Sequence, residues 1–302
     1  MSSLRDIKKR IGNVGVIEKM AQSMKAISTS RLAAAKSFRK TNDDYLSVSK
    51  EILETLLVLE KKEVSSNVEF IKNMFSIKEE ADYKKTLYIF VSSDRGLCGS
   101  YNSNVFRMLN QNIAGKTAGN YLVFPIGAKS LLFSNKLPKE KVLDLFMNSD
   151  IKHNLSDGIT KAADYISSLV VNAEIDRIQF IYTRSINIML QEVFAETVFP
   201  IIPQETKDVE KTKEAISKNI VTDDKNFSDL AGELLKQYIA INIFDKITQA
   251  AVSEHASRLN AMSGAFDNSK ELKRILNLEY NRTRQGLITK ELIEIISGAE
   301  AL

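Results

Sequence analysis

The stretch VSSDRGLCGSYNSN, residues 91–104, gathers a carboxylate, a guanidinium, a thiol, two glycines and several hydroxyls in one short run. Three chemistries suit such a set. A strand running into Gly96-Leu97-Cys98-Gly99 and then a helix is where doubly wound folds bind phosphate, because helix N-terminal amides point there. The run lacks the spacing G-x-G-x-x-G of a dinucleotide site and the G-x-x-x-x-G-K-[ST] of a P-loop. Cys98 beside Arg95 has the neighbour of a nucleophilic thiolate. It has no histidine close in sequence to serve as base, although a distant one could approach in the fold. Asp94 and Arg95 fit a loop ion pair better than an acid/base couple. A tight strand-to-helix turn is therefore the favoured reading. His153 and His255 are the only histidines, and neither has the Cys or His companions of a zinc site. We expect no catalytic residue, no cofactor-binding residue and no metal site.

The totals set wide bounds. The chain has 302 residues, 44% hydrophobic and 26% charged, which suits one large or two modest domains. With Cys98 as its sole cysteine it cannot form an internal disulfide, and a reducing compartment is expected. No apolar run approaches the roughly 20 residues of a membrane span, and no signal-peptide pattern opens the chain. The expectation is a cytosolic protein, or one peripheral to something else. Residues 1–40 hold ten Lys or Arg against Asp6 and Glu18 alone. Such a helix could meet nucleic acid, anionic lipid or an acidic protein surface, or be a solvated face.

Helix breakers divide the chain. All four prolines fall between residues 125 and 203, and neither Gly nor Pro occurs between Gly15 and Gly96. Leu4, Ile7, Ile11, Val14, Ile17, Ala21 and Met24 recur at steps of three and four. Leu32, Ala35 and Phe38, then Tyr45, Val48, Ile52, Leu56 and Leu59, carry the period onward. A helix this long, roughly 80 Å, needs a partner helix. The other end supplies one: Leu259, Met262 and Phe266, then Leu272, Leu276, Tyr280 and Leu287. The middle alternates β-rich runs (KTLYIFVSSD, NYLVFPIG, RIQFIYTRS, IMLQEVFAETVFPI) with helical ones. The helices begin near caps at Asn102 or Ser103 and at Ser156. The expected fold is α/β plus long helices: an antiparallel coiled coil of the terminal helices with a central Rossmann-like α/β domain. Its expected parts are an N-terminal shaft helix 1–60, a connector 61–82, the α/β domain 83–205, a connector 206–225 and a C-terminal shaft helix 226–302.

The chain closes on RTRQGLITKELIEIISGAEAL. Ile288, Leu292, Ile295, Ala299 and Leu302 step by four and three, an a/d seam, and Ile293 and Ile296 widen it past what one partner helix covers. A tail so apolar is expected to outrun its partner and enter a sleeve made by other chains.

Four stretches, SLRDIKKRIGNVGVIEKMAQSMKAISTSRL, SSDRGLCGSYNSN, ASRLNAMSGAFDNSKEL and EYNRTRQGLITKELIEIISGA, resemble the gamma-subunit family of rotary ATP synthases. The last is the most specific. The resemblance implies a left-handed coiled-coil shaft whose tip, with Ile288, Leu292, Ile295 and Ile296, lies in an apolar sleeve formed by alternating alpha and beta subunits. It implies a foot bound to the epsilon subunit and a membrane rotor ring. By motif, Met24 and Lys25 match positions facing an acidic beta-subunit loop, and Arg258, Gln285, Thr289 and Glu291 match beta contacts. Lys25 stands where some relatives have an acid. The two-cysteine redox segment of the chloroplast type is not matched. The implied protein is non-catalytic, takes no cofactor or direct small-molecule substrate and binds no nucleic acid. It lies peripherally on the cytoplasmic side of a bacterial inner membrane. The rival expectations are a nucleotide-dependent α/β enzyme and an RNA-binding protein using the basic helix.

Overall fold

The computed structural model describes residues 3–63, 83, 85–114, 120–145, 147, 149, 155–201 and 224–300, with backbone alone at 50, 52–63, 155, 156, 224–231 and 300. His153, Leu302 and stretches 64–82 and 206–223 of the expected connectors lie outside the described residues. So do the side chains of Ile52, Leu56, Leu59 and Ser156.

Two helices dominate: α1, Leu4–Glu63, and α5, Asp224–Glu300. Their 60 and 77 residues span about 90 and 115 Å. α1 starts on a capping box. The Asp6 amide donates to Ser3 Oγ at 3.2 Å, and the Asp6 carboxylate accepts the Ser3 amide at 3.2 Å. Side chains thus take up the Ser3 amide and share the Asp6 amide with the Ser3 carbonyl, 2.9 Å away. The chain divides into two compact units, residues 1–31 with 258–302, and residues 32–257.

In the first unit, α1 and α5 pair antiparallel. Along α1, Leu4, Ile7, Ile11, Val14, Glu18, Ala21, Lys25 and Ser28 are all buried or half-buried, a strict alternation of three and four. Ile17, expected on this stripe, is 54% exposed. Two successive steps of three swing a side chain off the seam, and Glu18 takes the place instead. On α5 the seam runs through Met262, Phe266, Ser269, Lys273, Leu276, Tyr280 and Thr283. Leu272, expected there, is exposed for the same reason, and Leu287 keeps the seam spacing but is exposed where α1 begins.

The second unit is a three-layer α/β body. Strands β1 (Thr86–Val91), β2 (Tyr121–Ile126), β3 (Arg177–Ser185) and β4 (Gln191–Phe199) form one sheet in the order β2-β1-β3-β4. β1 is parallel to β2 and β3, and β4 runs antiparallel on the edge. Pro125 sits in the edge strand β2, where a missing N–H is tolerated. Helix α2 (Tyr101–Ile113) packs Val105 and Leu109 against Tyr88 and Phe90 on one face. Helix α4 (Leu155–Val171) covers the other with Ile159, Ala163 and Ile166. The first half of α5 shares that face, burying Leu235, Ile239, Ile243 and Ile247 at successive steps of four. The same helix therefore serves as core helix here and as shaft helix in the other unit. A short helix, α3 (Ala128–Ser134), follows β2. From α1, Leu32, Ala35 and Leu46 are buried, and Phe38 packs edge-on against Phe244 at 5.9 Å. Tyr45 and Val48, expected to be covered, are exposed.

Candidate functional site

The turn after β1 is filled by its own side chains. Asn102 Nδ2 donates to Ser93 Oγ at 2.8 Å and to Cys98 Sγ at 3.4 Å, while its Oδ1 accepts the Ser93 amide at 3.0 Å. Asn102 thus ties the turn instead of capping α2. The residue before that helix is Ser100, and Ser103 lies within it. The Asp94 carboxylate accepts the Ala128 amide at 2.9 Å and the Ser149 amide at 3.1 Å. The carboxylate thus holds the first amide of the helix that follows β2 and ties that loop to the turn after β1. Cys98 is buried. Gly127, at φ +94°, is required: a Cβ there would overlap the Ser92 carbonyl. The Tyr101 hydroxyl donates to the Ala250 carbonyl at 3.3 Å and so fastens α2 to α5. The turn thus anchors α5 through Tyr101, while the Asp94 and Asn102 bonds hold the turn itself together.

A second polar cluster lies between the sheet and α5. Lys246 Nζ is 2.8 Å from each Glu196 oxygen, and the Tyr182 hydroxyl donates to Glu196 Oε2 at 2.7 Å. Burial foremost, and then the Glu196 hydrogen bond, raise the Tyr182 phenol well above its ordinary value. A buried phenol that holds its proton so tightly is no general base at neutral pH. The cluster binds β3, β4 and α5 together. Arg39 Nη1 adds α1 through a 3.4 Å pair with Asp245. Among the described residues, no group of three or more His, Cys, Asp or Glu is placed to hold a metal ion. Among them, too, no helix is long and apolar enough to cross a membrane.

The paired helices carry the remaining candidates. Lys273 Nζ is 2.8 Å from Glu18 Oε2, and Lys25 Nζ lies 5.8 Å from the Phe266 ring centroid. Each step down α1 is thus matched by one up α5. Leu4, fourteen residues before Glu18, falls beside Leu287, fourteen after Lys273. Thirteen helical residues of α5, Ile288 to Glu300, then have no α1 residue beside them. There Ile288, Leu292, Ile293, Ile295 and Ile296 are 47–68% exposed. Full burial of one such side chain is worth about 1.5–3 kcal/mol, so a contiguous set left open marks an interaction surface.

The expected contact residues fall into two groups, with Arg258 apart from both. Thr289 and Glu291 are exposed on the projecting end among Ile288, Leu292, Ile295 and Ile296, and Gln285, also exposed, lies just before it, its carbonyl accepting the Thr289 hydroxyl at 2.9 Å. Met24 and Lys25 are half-buried. They lie near Phe266, about 30 Å along the helix from Gln285. Arg258 is buried, at 5% exposure. Of the ten basic residues in 1–40, all but Lys25 and Arg39 are exposed. Glu18 and Lys273 were not singled out from sequence, nor was the Lys246–Glu196 pair. The first could have been found by following the heptad strictly. The second joins residues fifty positions apart and leaves no local signal.

The family model for ATP synthase matches residues 3–302. Over 306 residues the chain is 32% identical to an ATP synthase gamma chain of Trichlorobacter lovleyi, covering 100% of this chain and 99% of that one. Over 310 residues it is 29% identical to one from Sulfurovum, covering all of both. A chain in the Euglena gracilis mitochondrial ATP synthase (OSCP/F1/c-ring) superposes with a TM-score of 0.62 at 18% identity, over 99% of this chain and 94% of that one.

Proposed function

Because the chain belongs to the family of ATP synthase gamma chains, we propose that it is the central shaft of a rotary ATP synthase. It is a non-catalytic subunit that carries proton-driven rotation from a membrane rotor ring to catalytic sites on beta subunits. The observation that carries this is the projection of α5 past α1 with its isoleucines exposed. A self-contained enzyme gains nothing from such an end, whereas a shaft seated in an apolar sleeve requires it. Coupling then works by bias: the sides of the shaft differ, so each orientation favours a different discrete conformation of each neighbour.

Ile288, Leu292, Ile295 and Ile296 line the sleeve contact in the alpha–beta ring. Gln285, Thr289 and Glu291 supply polar contacts to beta subunits one turn away, and Met24 and Lys25 supply them lower on the shaft. Arg258, already buried within the chain, contributes the smallest contact of the six. The basic face of α1 meets carboxylate-rich protein surface. It carries no aromatic residue between positions 1 and 37, so it offers no platform for base stacking. The α/β unit, with the turn after β1 tied by Asn102, forms the foot toward epsilon and the ring. The subunit is peripheral, on the cytoplasmic side of a bacterial inner membrane.

The experiment is co-expression with alpha and beta subunits. The expected result is a stable complex whose ATP hydrolysis turns a bead fixed to this chain. If alpha and beta assemble and the chain remains outside, the proposal fails.

A further inference from the structure

The seam of the helix pair is mostly interchangeable. Leu4, Ile7, Ile11, Val14 and Ala21 would pack acceptably against Leu276, Tyr280 or Met262 at more than one offset, because a heptad seam repeats itself every seven residues. Two charged residues of α1 fall on the seam, Lys25 over the Phe266 ring and Glu18, and Glu18 is the one with a partner of opposite charge. It sits at a seam position with its side chain 19% exposed, and Lys273 meets it at 2.8 Å from a seam position of the other helix. Gly15, one turn earlier, lies under the end of that lysine. The Lys273 Nζ and Cε lie 3.9 and 4.0 Å from where a Gly15 Cβ would be, which is ordinary contact distance.

We infer that the Glu18–Lys273 pair is a register pin that fixes how far the apolar tip of α5 projects beyond α1. A slip of one heptad in one direction sets Lys273 against Lys25 and Glu18 against Tyr280. A slip in the other sets Glu18 against Phe266 and Lys273 against Ile11. Both offsets leave a half-buried carboxylate without its cation, and one opposes two ammonium groups, so both are disfavoured. In the observed register thirteen residues project, about 20 Å of helix. One heptad is about 10 Å, so a slip would halve that reach or extend it by half. One polar pair within an apolar seam specifies register and costs some stability compared with an apolar pair. What the reach serves rests on the shaft role proposed above, whereas the register belongs to the free chain.

The test is disulfide trapping in the full-length chain carrying C98A, so that introduced cysteines are the only thiols. I11C with Y280C reports the observed register, since 11 and 280 lie seven residues out from the pinned pair on each helix. I11C with L287C and L4C with Y280C report the two slips. With Glu18 and Lys273 intact, the 11–280 bridge should form in most molecules. E18K should lower that yield at least fivefold and raise one slipped bridge. The reciprocal swap E18K/K273E should restore the 11–280 bridge. An unchanged 11–280 yield in E18K overturns the inference, because the register is then set elsewhere. So does a loss that the swap fails to restore, because the damage is then local and not a matter of pairing. Neither outcome bears on whether the chain joins alpha and beta subunits, which is tested separately.

Discussion

The Lys25 ammonium lies 5.8 Å from the centroid of the Phe266 ring, on the seam between α1 and α5. It therefore has an intramolecular role besides any contact outside the chain. A half-buried cation over an aromatic face is worth about 0.5–1 kcal/mol, and a carboxylate there would face the negative side of the ring. K25E should lower the unfolding free energy of the free chain by about that amount and also weaken coupling of hydrolysis to pumping in the complex. Urea denaturation separates the two effects. K25M, which keeps an apolar stem over Phe266, should lose less stability than K25E. Equal stability of all three chains would remove the residue from the seam.

The Lys246–Glu196 pair is lopsided. The Lys246 side chain is 4% exposed and that of Glu196 37%. Removing the lysine leaves a carboxylate that water still reaches. Removing the carboxylate leaves a buried ammonium with Asp245 Oδ2 at 3.3 Å and the Tyr182 ring centroid at 5.0 Å. Leaving the buried member of an ion pair uncompensated costs about 3–5 kcal/mol. We expect E196A to fall in or near that range and K246M to cost less than half as much. Denaturant midpoints of the two variants check the order, and the reverse order would contradict the burial asymmetry.

Tyr182 supplies a pH signature. Its phenol is raised above the ordinary value of 10.0, first by burial and next by its bond to Glu196. The folded state therefore holds the proton more tightly than the unfolded one. That stabilisation is complete below pH 10 and is lost as pH climbs above it, at up to about 1.4 kcal/mol per pH unit. Relative to Y182F, the unmodified chain should keep a constant stability difference from pH 7 to 9 and lose ground from pH 10 upward. A difference that stays flat through pH 11 would show that the phenol titrates normally.

Much of this architecture is legible in sequence because period alone carries it. The strand run RIQFIYTRS is β3 residue for residue, since a buried strand needs a continuous apolar stretch bounded by turns. The long helices are equally plain from the absence of breakers. What sequence misplaces is rotation about a helix axis. Ile17 and Leu272 look like seam residues because they are apolar, yet the seam passes through Glu18 and Lys273. Apolar identity is a weaker guide than spacing once two helices must stay in contact over many turns. The projecting tip is legible as an apolar excess. Its exposure follows from register, which needs two chain segments some 250 residues apart and so leaves no local trace.

The central claim is that the last turns of α5 belong to a partner's sleeve and not to this chain's own core. Truncation tests it most directly. We will compare the full chain with one ending at Gly298 and one ending at Arg284, measuring thermal melting of each free chain and ATP-driven rotation in complex with alpha and beta subunits. Side chains already 47–68% exposed contribute little to the free fold. Both truncated chains should melt within a few degrees of the full chain, by the scale on which about 1 kcal/mol moves a midpoint by 2–4 °C. In the complex the shorter cut should weaken assembly modestly and leave rotation intact, because the shaft is held along its length. The deeper cut removes Gln285, Thr289 and Glu291 with the isoleucines and should impair torque. If loss of the residues after Gly298 unfolds the free chain, the tip is internal core and the account is wrong.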